Sequence, residues 1–336
     1  MSGKRIVAIG DLNAADDVLI DILRSTGLID RKLRWAGGAA ELVQVGDLFN
    51  RGGGAALALK LLLRLQREAR RDGGSVTVLL GNHEAMTALH HHGYCTEDEY
   101  LSFATVAEKR RWPLQVRQAF RRLARQHPHG VVPPLEPRLE AWKIEHVPGR
   151  AALTRALGPR GTLGKALRRL PVAHLSGSSL FVHAGLLPAW AELGIEGLNA
   201  LASEEWSAGR RGLWTLPRSG LFRGVDSPLW DRSLVRGGAS AGKDLRRSLA
   251  LLGAERMIVG HTQTASLRGG SLGKIQVLAR KTMINGLVNF DETQGWRGPV
   301  GKIDIDGDWG GKLGDVKSLS DIDPGRLAVV LEVNDQ

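Results

Sequence analysis

Val76–Glu84 reads VTVLLGNHE. A β-branched and aliphatic run stops at Gly81, and Asn82-His83-Glu84 follow at once. The run has the composition of a strand buried on both faces, which puts the polar triplet at its carboxyl end. In open α/β sheets sites form at that end, on loops held by a rigid scaffold. The same arrangement recurs along the chain. Arg5–Asp11 (RIVAIGD) and Glu41–Asp47 (ELVQVGD) precede it, the second continuing into Leu48-Phe49-Asn50-Arg51-Gly52. Leu180–Gly185 (LFVHAG) and Arg256–Thr262 (RMIVGHT) follow it. Five such strands, each ending in Asp, Asn or His, predict one convergent site rich in oxygen and imidazole ligands.

Between these strands the apolar period changes to that of helices. Val18, Leu19, Ile22 and Leu23 share one helical face, and Gly27 ends it. Ala55–Arg71 is helical between two glycine turns. The order β-α-β-α-β predicts a mostly parallel sheet with helical cover. Glu84–His92 and Glu97–Arg125 read as helices, with Pro113 as a break in the second. His127–Pro148 is proline-rich without a clear period, and Leu153–Leu170 is again helical. Ser176-Gly177-Ser178 marks a hairpin between Val172–His174 and Ser179–His183. Helices near Ile195–Trp206 and over Lys243–Leu252 lead to a strand over Met257–Gly260. The tail reads as strands over Ile275–Ala279, Leu287–Phe290, Lys302–Ile305 and Leu327–Val333. Asp304–Asp308 reads as a tight turn and not a calcium loop, because its glycine comes at the fourth position.

A chain of 336 residues with 43% hydrophobic content supports one large α/β domain, taken here as residues 1–336. The single cysteine, Cys95, excludes an internal disulfide framework and fits a reducing compartment. Leu101, six positions on, stands where a Cys-based phosphatase loop needs arginine. With no signal-type apolar region before Arg5 and no run of membrane length, a cytoplasmic protein without a membrane partner is expected. The net charge of +11 is concentrated between Ala104 and Leu170, where fifteen Lys/Arg face four Asp/Glu. This stretch reads as a basic helical insertion or cap within the domain, residues 104–170. It is either a set of solvated helices or a surface for an anionic partner.

Asp11, Asn13, Asp47, Asn82, His183 and His261 together suit a pair of divalent metals, with Asp47 placed to bridge. Such a pair clamps a phosphoryl group and generates hydroxide for in-line attack. Arg51 lies four residues after Asp47, and its planar fork matches two phosphate oxygens. His83, beside Asn82, is placed to protonate a leaving group.

Gly10-Asp11-Leu12-Asn13-Ala14, Gly46-Asp47 through Arg51-Gly52, Gly81-Asn82-His83-Glu84, His183-Ala184-Gly185 and Gly260-His261-Thr262 follow one another in the order of a known pattern. The chain resembles the calcineurin-like metallophosphoesterases. Within them it is most similar to the Shewanella-like protein phosphatases, the bacterial-type branch of the phosphoprotein phosphatases. That branch carries an element similar to Ser227-Pro228-Leu229-Trp230-Asp231-Arg232 and a turn similar to His183-Ala184-Gly185-Leu186. The resemblance implies a four-layer α/β/β/α sandwich and a metal-dependent phosphatase acting on phosphoprotein or small phosphomonoesters. It implies one metal at Asp11, position 13 and Asp47, and another at Asp47, Asn82, His183 and His261. Arg51 and Arg232 would hold the phosphate, and His83 would act as general acid.

Two residues depart from the pattern. Asn13 stands where the family has a metal-binding His, and Asn50 where the phosphoprotein phosphatases have an Asp that pairs with the GNHE histidine. An amide oxygen is a poorer donor than imidazole for borderline metals, so weaker affinity and a tilt toward Mn²⁺ over iron or zinc are expected. Asn50 gives His83 less charge support, so aryl phosphates, with their good leaving groups, are the expected substrates. Other readings are a dinucleoside polyphosphate hydrolase, and a degenerate phosphatase that binds phosphate or an anionic partner without turnover. A nuclease is disfavoured, because Gln263 replaces the second histidine of a G-H-x-H motif.

Overall fold

The computed structural model describes residues 5–125, 135–237 and 240–262, and beyond them the strand segments 264–265, 271–272, 276–279, 283–285 and 330–334. The chain opens with β1 (Arg5–Ile9), α1 (Asp16–Ser25), β2 (Glu41–Gln44), α2 (Ala55–Arg71), β3 (Ser75–Val78) and α3 (Asn82–Ala88). Helices α4 (Glu97–Ser102), α5 (Val106–Arg125), α6 (Leu135–His146), α7 (Arg150–Leu157) and α8 (Thr162–Leu167) follow. Then come β4 (Ala173–Ser176), β5 (Ser179–Val182), α9 (Pro188–Ala191), α10 (Gly194–Ala208), α11 (Ser233–Arg236), α12 (Ala241–Leu251) and β6 (Arg256–Val259). Strands β7 (Thr264–Ala265), β8 (Ser271–Leu272), β9 (Gln276–Ala279), β10 (Met283–Asn285) and β11 (Val330–Asn334) close the order.

Two sheets form the sandwich. The first has the order β11-β1-β2-β3, with β1, β2 and β3 parallel and β11 antiparallel on the edge. The second has the order β10-β9-β6-β5-β4, in which β5 and β6 are the parallel pair and the other pairings are antiparallel. The β-α-β-α-β order therefore describes the first sheet only. The second combines hairpins with pairings between strands far apart in sequence. Strands β2, β5 and β6 are buried along their whole length, as a strand must be when one face meets another sheet and the other face meets helices. Helix α2 turns Ala58, Leu59, Leu62 and Leu65 inward, a stripe with the 3.6-residue period. Glu41 ties the sheets at the end away from the strand tips, accepting from Ser176 Oγ at 2.7 Å and pairing with His174 Nε2 at 2.7 Å.

Helix α2 and the β4–β5 hairpin, with Gly177 at φ +54°, follow the sequence reading. Elsewhere the reading needs correction. Helix α3 stops at Ala88, so His90–His92 lie in the turn beyond it. His90 is exposed, but the His91 ring meets Trp214 edge-on at 5.1 Å, and burial pushes His92 down to about 4. The break in the next segment falls between α4 and α5, and Pro113 lies inside α5. Pro113 is exposed, so the carbonyl it leaves without an amide partner is on the solvent side of the helix. Helix α6 buries no residue, which is why no period marks it. Its Trp142 ring stacks on Trp112 of α5 at 5.7 Å and on His146 at 4.5 Å, and this aromatic ladder fixes it. Among the described residues no helix is long and apolar enough to cross a membrane. The expected strands at Leu287–Phe290 and Lys302–Ile305 and the turn at Asp304–Asp308 lie outside the described residues.

Candidate metal centre

The strand tips meet because their loops are stitched by backbone bonds. The Asp47 carbonyl accepts the amides of Leu12 at 3.0 Å and Asn13 at 2.9 Å, and the Leu48 carbonyl accepts that of Ala14 at 2.8 Å. Gly46 and Gly81 permit the approach. A Cβ on Gly46 would stand 2.8 Å from His183 Nδ1 and from the Gly81 backbone, and one on Gly81 would collide with Asp47 Oδ1. Of the eight non-glycine residues in the left-handed region among the described residues, six lie on these loops: Asn13, Ala14, Asp47, Asn50, Arg51 and His261. Strained backbone of this kind persists where the surroundings over-determine it, and it clusters at functional sites.

Glu84 is the hidden organiser of this region. Its carboxylate is fully buried and accepts four backbone amides: Asp47 and Gly81 on one oxygen, each at 2.9 Å, and Leu48 (2.7 Å) and Phe49 (2.9 Å) on the other. Burial and the nearby Asp47 charge push the Glu84 carboxyl up to about 7, against amide donors that favour the ionised form. Sequence reasoning gave Glu84 no role. The available signal was its place three residues after Gly81, at the third position of a helix, where a Glu reaches back to the capping amide.

Asp47, His183 and His261 each bring one ligand atom to within 4.8 Å of the others. His183 Nδ1 donates to the Val45 carbonyl at 2.8 Å, which leaves Nε2 facing inward. There it meets Asn82 Oδ1 at 2.8 Å and Asp47 Oδ1 at 3.3 Å. Two oxygen acceptors and a ring nitrogen thus converge, an arrangement that a proton on Nε2 or a bound metal would satisfy. Burial disfavours charge on His183, but the Asp47 carboxylate overrides it and raises the imidazole to about 9. Burial acts to raise Asp47, and the His183 and His83 charges outweigh it and hold the carboxyl far below the usual range. Burial, then the His183 charge, pushes His261 down to about 2, which favours the neutral imidazole.

The donor set fits a divalent metal. Asn13 Oδ1 and Nδ2 and His261 Nε2 are buried without a hydrogen-bond partner, a costly arrangement unless something binds there. Asp11 is buried close by, and its Oδ1 accepts the His261 amide at 2.9 Å. All six residues expected as ligands are buried.

The three expected catalytic residues are placed differently. The His83 amide donates to Asp47 Oδ1 at 3.1 Å, and its Nε2 lies 3.8 Å from Asp47 Oδ2. Its Nδ1 meets Asn50 Oδ1 at 2.7 Å, so the substitution at position 50 leaves the contact intact while removing its charge. Arg232 Nη1 donates to the His261 carbonyl at 3.2 Å. Burial and the Arg236 charge lower Arg232, while Asp11 and Asp47 act in the opposite direction. Arg51 shares the Asn50 loop, and its side chain is exposed. Two aromatic rings that the ligand pattern does not include stand beside these groups: Trp230, edge-on to His261 at 5.9 Å, and Tyr94, 5.0 Å from the His83 ring.

Comparison with known proteins agrees with this geometry. Residues 4–205 match the calcineurin-like phosphoesterase family. Shewanella-like protein phosphatase 2 of Arabidopsis thaliana is 33% identical over 272 residues, covering 79% of this chain and 68% of that protein. Shewanella-like protein phosphatase 1 of Plasmodium berghei is 34% identical over 99 residues, which is 30% of this chain and 27% of that one. Among solved structures, the cold-active protein-tyrosine phosphatase of a psychrophilic Shewanella species aligns with a TM-score of 0.56 at 21% identity, covering 84% of this chain and 78% of that one.

Proposed function

Because the chain belongs to the calcineurin-like phosphoesterase family and is a phosphoester hydrolase, we propose that it removes phosphate from phosphomonoesters of the phosphoprotein type at a two-metal centre. The observation that carries this reading is the set of buried donors without partners, Asn13 and His261 Nε2, beside the converging Asp47, Asn82 and His183. Asp11, Asn13 and Asp47 would hold one metal, and Asp47, Asn82, His183 and His261 the other. Such metals, when bound, supply Lewis acidity and an activated water.

The remaining work falls to the chain itself. Arg232, anchored on the His261 carbonyl, and Arg51, on the Asn50 loop, bind and orient the phosphate oxygens. His83 delivers a proton to the departing oxygen from Nε2, the ring atom turned toward Asp47. Tyr94 beside the His83 ring and Trp230 beside His261 place aromatic surface next to these groups, which favours an aryl leaving group. Phosphotyrosine is the preferred protein substrate on this reading, in keeping with the activity named for the Shewanella enzyme.

Asn13 sets the metal requirement. Replacing it by histidine should lower the Zn²⁺ concentration for half-maximal activity by about tenfold and change that for Mn²⁺ much less, because imidazole is the better donor to borderline metals whereas Mn²⁺ accepts an amide oxygen readily. Parallel titrations of metal-stripped protein with Zn²⁺ and Mn²⁺, read by p-nitrophenyl phosphate turnover, check this. An unchanged ratio of the two half-activation points would remove Asn13 from the ligand set. Turnover gained only by the Asn13→His variant, with wild type silent, would favour a protein that binds phosphate without hydrolysing it.

A further inference from the structure

Behind Asn50 lies a second carboxylate that no ligand or catalytic pattern includes. Glu99, on α4, is fully buried although it is 49 residues away in sequence. Its Oε1 accepts the Asn50 backbone amide at 3.1 Å, and its Oε2 accepts Asn50 Nδ2 at 3.0 Å. The Thr87 hydroxyl bridges the same amide, 3.0 Å from Nδ2 and 3.1 Å from Oδ1, and Cys95 Sγ lies 3.3 Å from Nδ2.

A carboxylate only accepts hydrogen bonds, whereas a primary amide donates at one end and accepts at the other. Glu99 therefore decides which way round the Asn50 amide sits. With Nδ2 held by Glu99, Oδ1 must face His83, at 2.7 Å from Nδ1. An amide oxygen only accepts, so the His83 ring carries its hydrogen on Nδ1 and turns Nε2 toward the centre. We propose that Glu99 is a positioning residue for His83: acting through Asn50, it fixes the tautomer and the orientation of the ring that serves the leaving group. Burial raises the Glu99 carboxyl, and the hydrogen bonds from the Asn50 side chain and backbone act against it in favour of the ionised form. The catalytic half of the proposal rests on His83 as proton donor, and the tautomer half does not.

The test compares wild type with Glu99→Gln, the double variant Asn50→Asp/Glu99→Gln, and His83→Ala. In Glu99→Gln the new carbonyl oxygen takes the Asn50 backbone amide, so the new NH₂ faces the Asn50 side chain and turns it round. His83 must then accept at Nδ1. In zinc-loaded protein labelled with ¹⁵N-histidine, at alkaline pH, wild type should show His83 protonated at Nδ1 and Glu99→Gln should show the proton moved to Nε2. Unchanged ring shifts would overturn the proposal. In turnover with Mn²⁺, Glu99→Gln should lose about a hundredfold in kcat on phenyl phosphate, with KM nearly constant, and little on p-nitrophenyl phosphate, which needs no proton. The double variant rebuilds the polarity: the carboxylate introduced at position 50 accepts from both His83 and the amide introduced at position 99. It should recover most of the loss. Equal losses on both substrates, or no recovery, would mark Glu99 as merely structural. If His83→Ala itself loses equally on both substrates, the donor reading fails and the catalytic half with it, while the ring shifts still decide the tautomer.

Discussion

Replacing Glu84 by alanine is expected to cost the protein about 3–5 kcal/mol, a large part of the stability of an ordinary domain. The reason is local. Four amides from two loops, those of Asp47, Leu48, Phe49 and Gly81, share one buried carboxylate. Removing it leaves four donors without a partner in a region closed to solvent, each costing roughly 1–3 kcal/mol before water re-enters. Glu84→Gln keeps one oxygen and turns an NH₂ against the other two amides, so a smaller loss, about 1–3 kcal/mol, is expected. Urea unfolding of the two variants beside wild type reads both numbers. A loss under about 1 kcal/mol for Glu84→Ala would mean that the loops hold their shape through the Leu12, Asn13 and Ala14 bonds alone.

The second large effect concerns catalysis. Asp47→Ala should reduce kcat/KM on p-nitrophenyl phosphate by at least about a thousandfold, since under the proposed two-metal reading it removes the ligand shared by both metals. Most of the backbone around it should survive, because its stitching to Leu12 and Asn13 uses the Asp47 carbonyl, and the carboxylate carries only one backbone bond, from the His83 amide. The variant should therefore stay folded while binding less metal per chain. Circular dichroism and metal analysis of the dialysed protein separate these two outcomes. Retention of more than about a tenth of the activity would take Asp47 out of the centre.

What the sequence discloses about this molecule is what local patterns can carry. Asp11, Asp47, Asn82, His183 and His261 are legible because each closes a hydrophobic strand, and parallel strands must bring like ends to one edge. Helix α2 is legible because its inward stripe repeats every 3.6 residues between glycine turns. The second sheet is not, since its order depends on pairings between strands remote in sequence, which no local period encodes. Helix α6 escapes because it is held by a few stacked rings and buries no face. Glu84 and Glu99 escape for a related reason. Each is one acidic residue on a helix, and its importance comes from amides 35 to 49 positions away that only the fold delivers.

The experiment to perform first is turnover of p-nitrophenyl phosphate by wild-type protein stripped with chelator and then reloaded with Mn²⁺. Activity that vanishes on stripping and returns with about two equivalents of Mn²⁺ per chain is the expected result. Hydrolysis that persists undiminished in the stripped protein, or protein that binds Mn²⁺ and stays silent on every phosphomonoester, would contradict a metal-dependent phosphatase built on Asp47, His183 and His261.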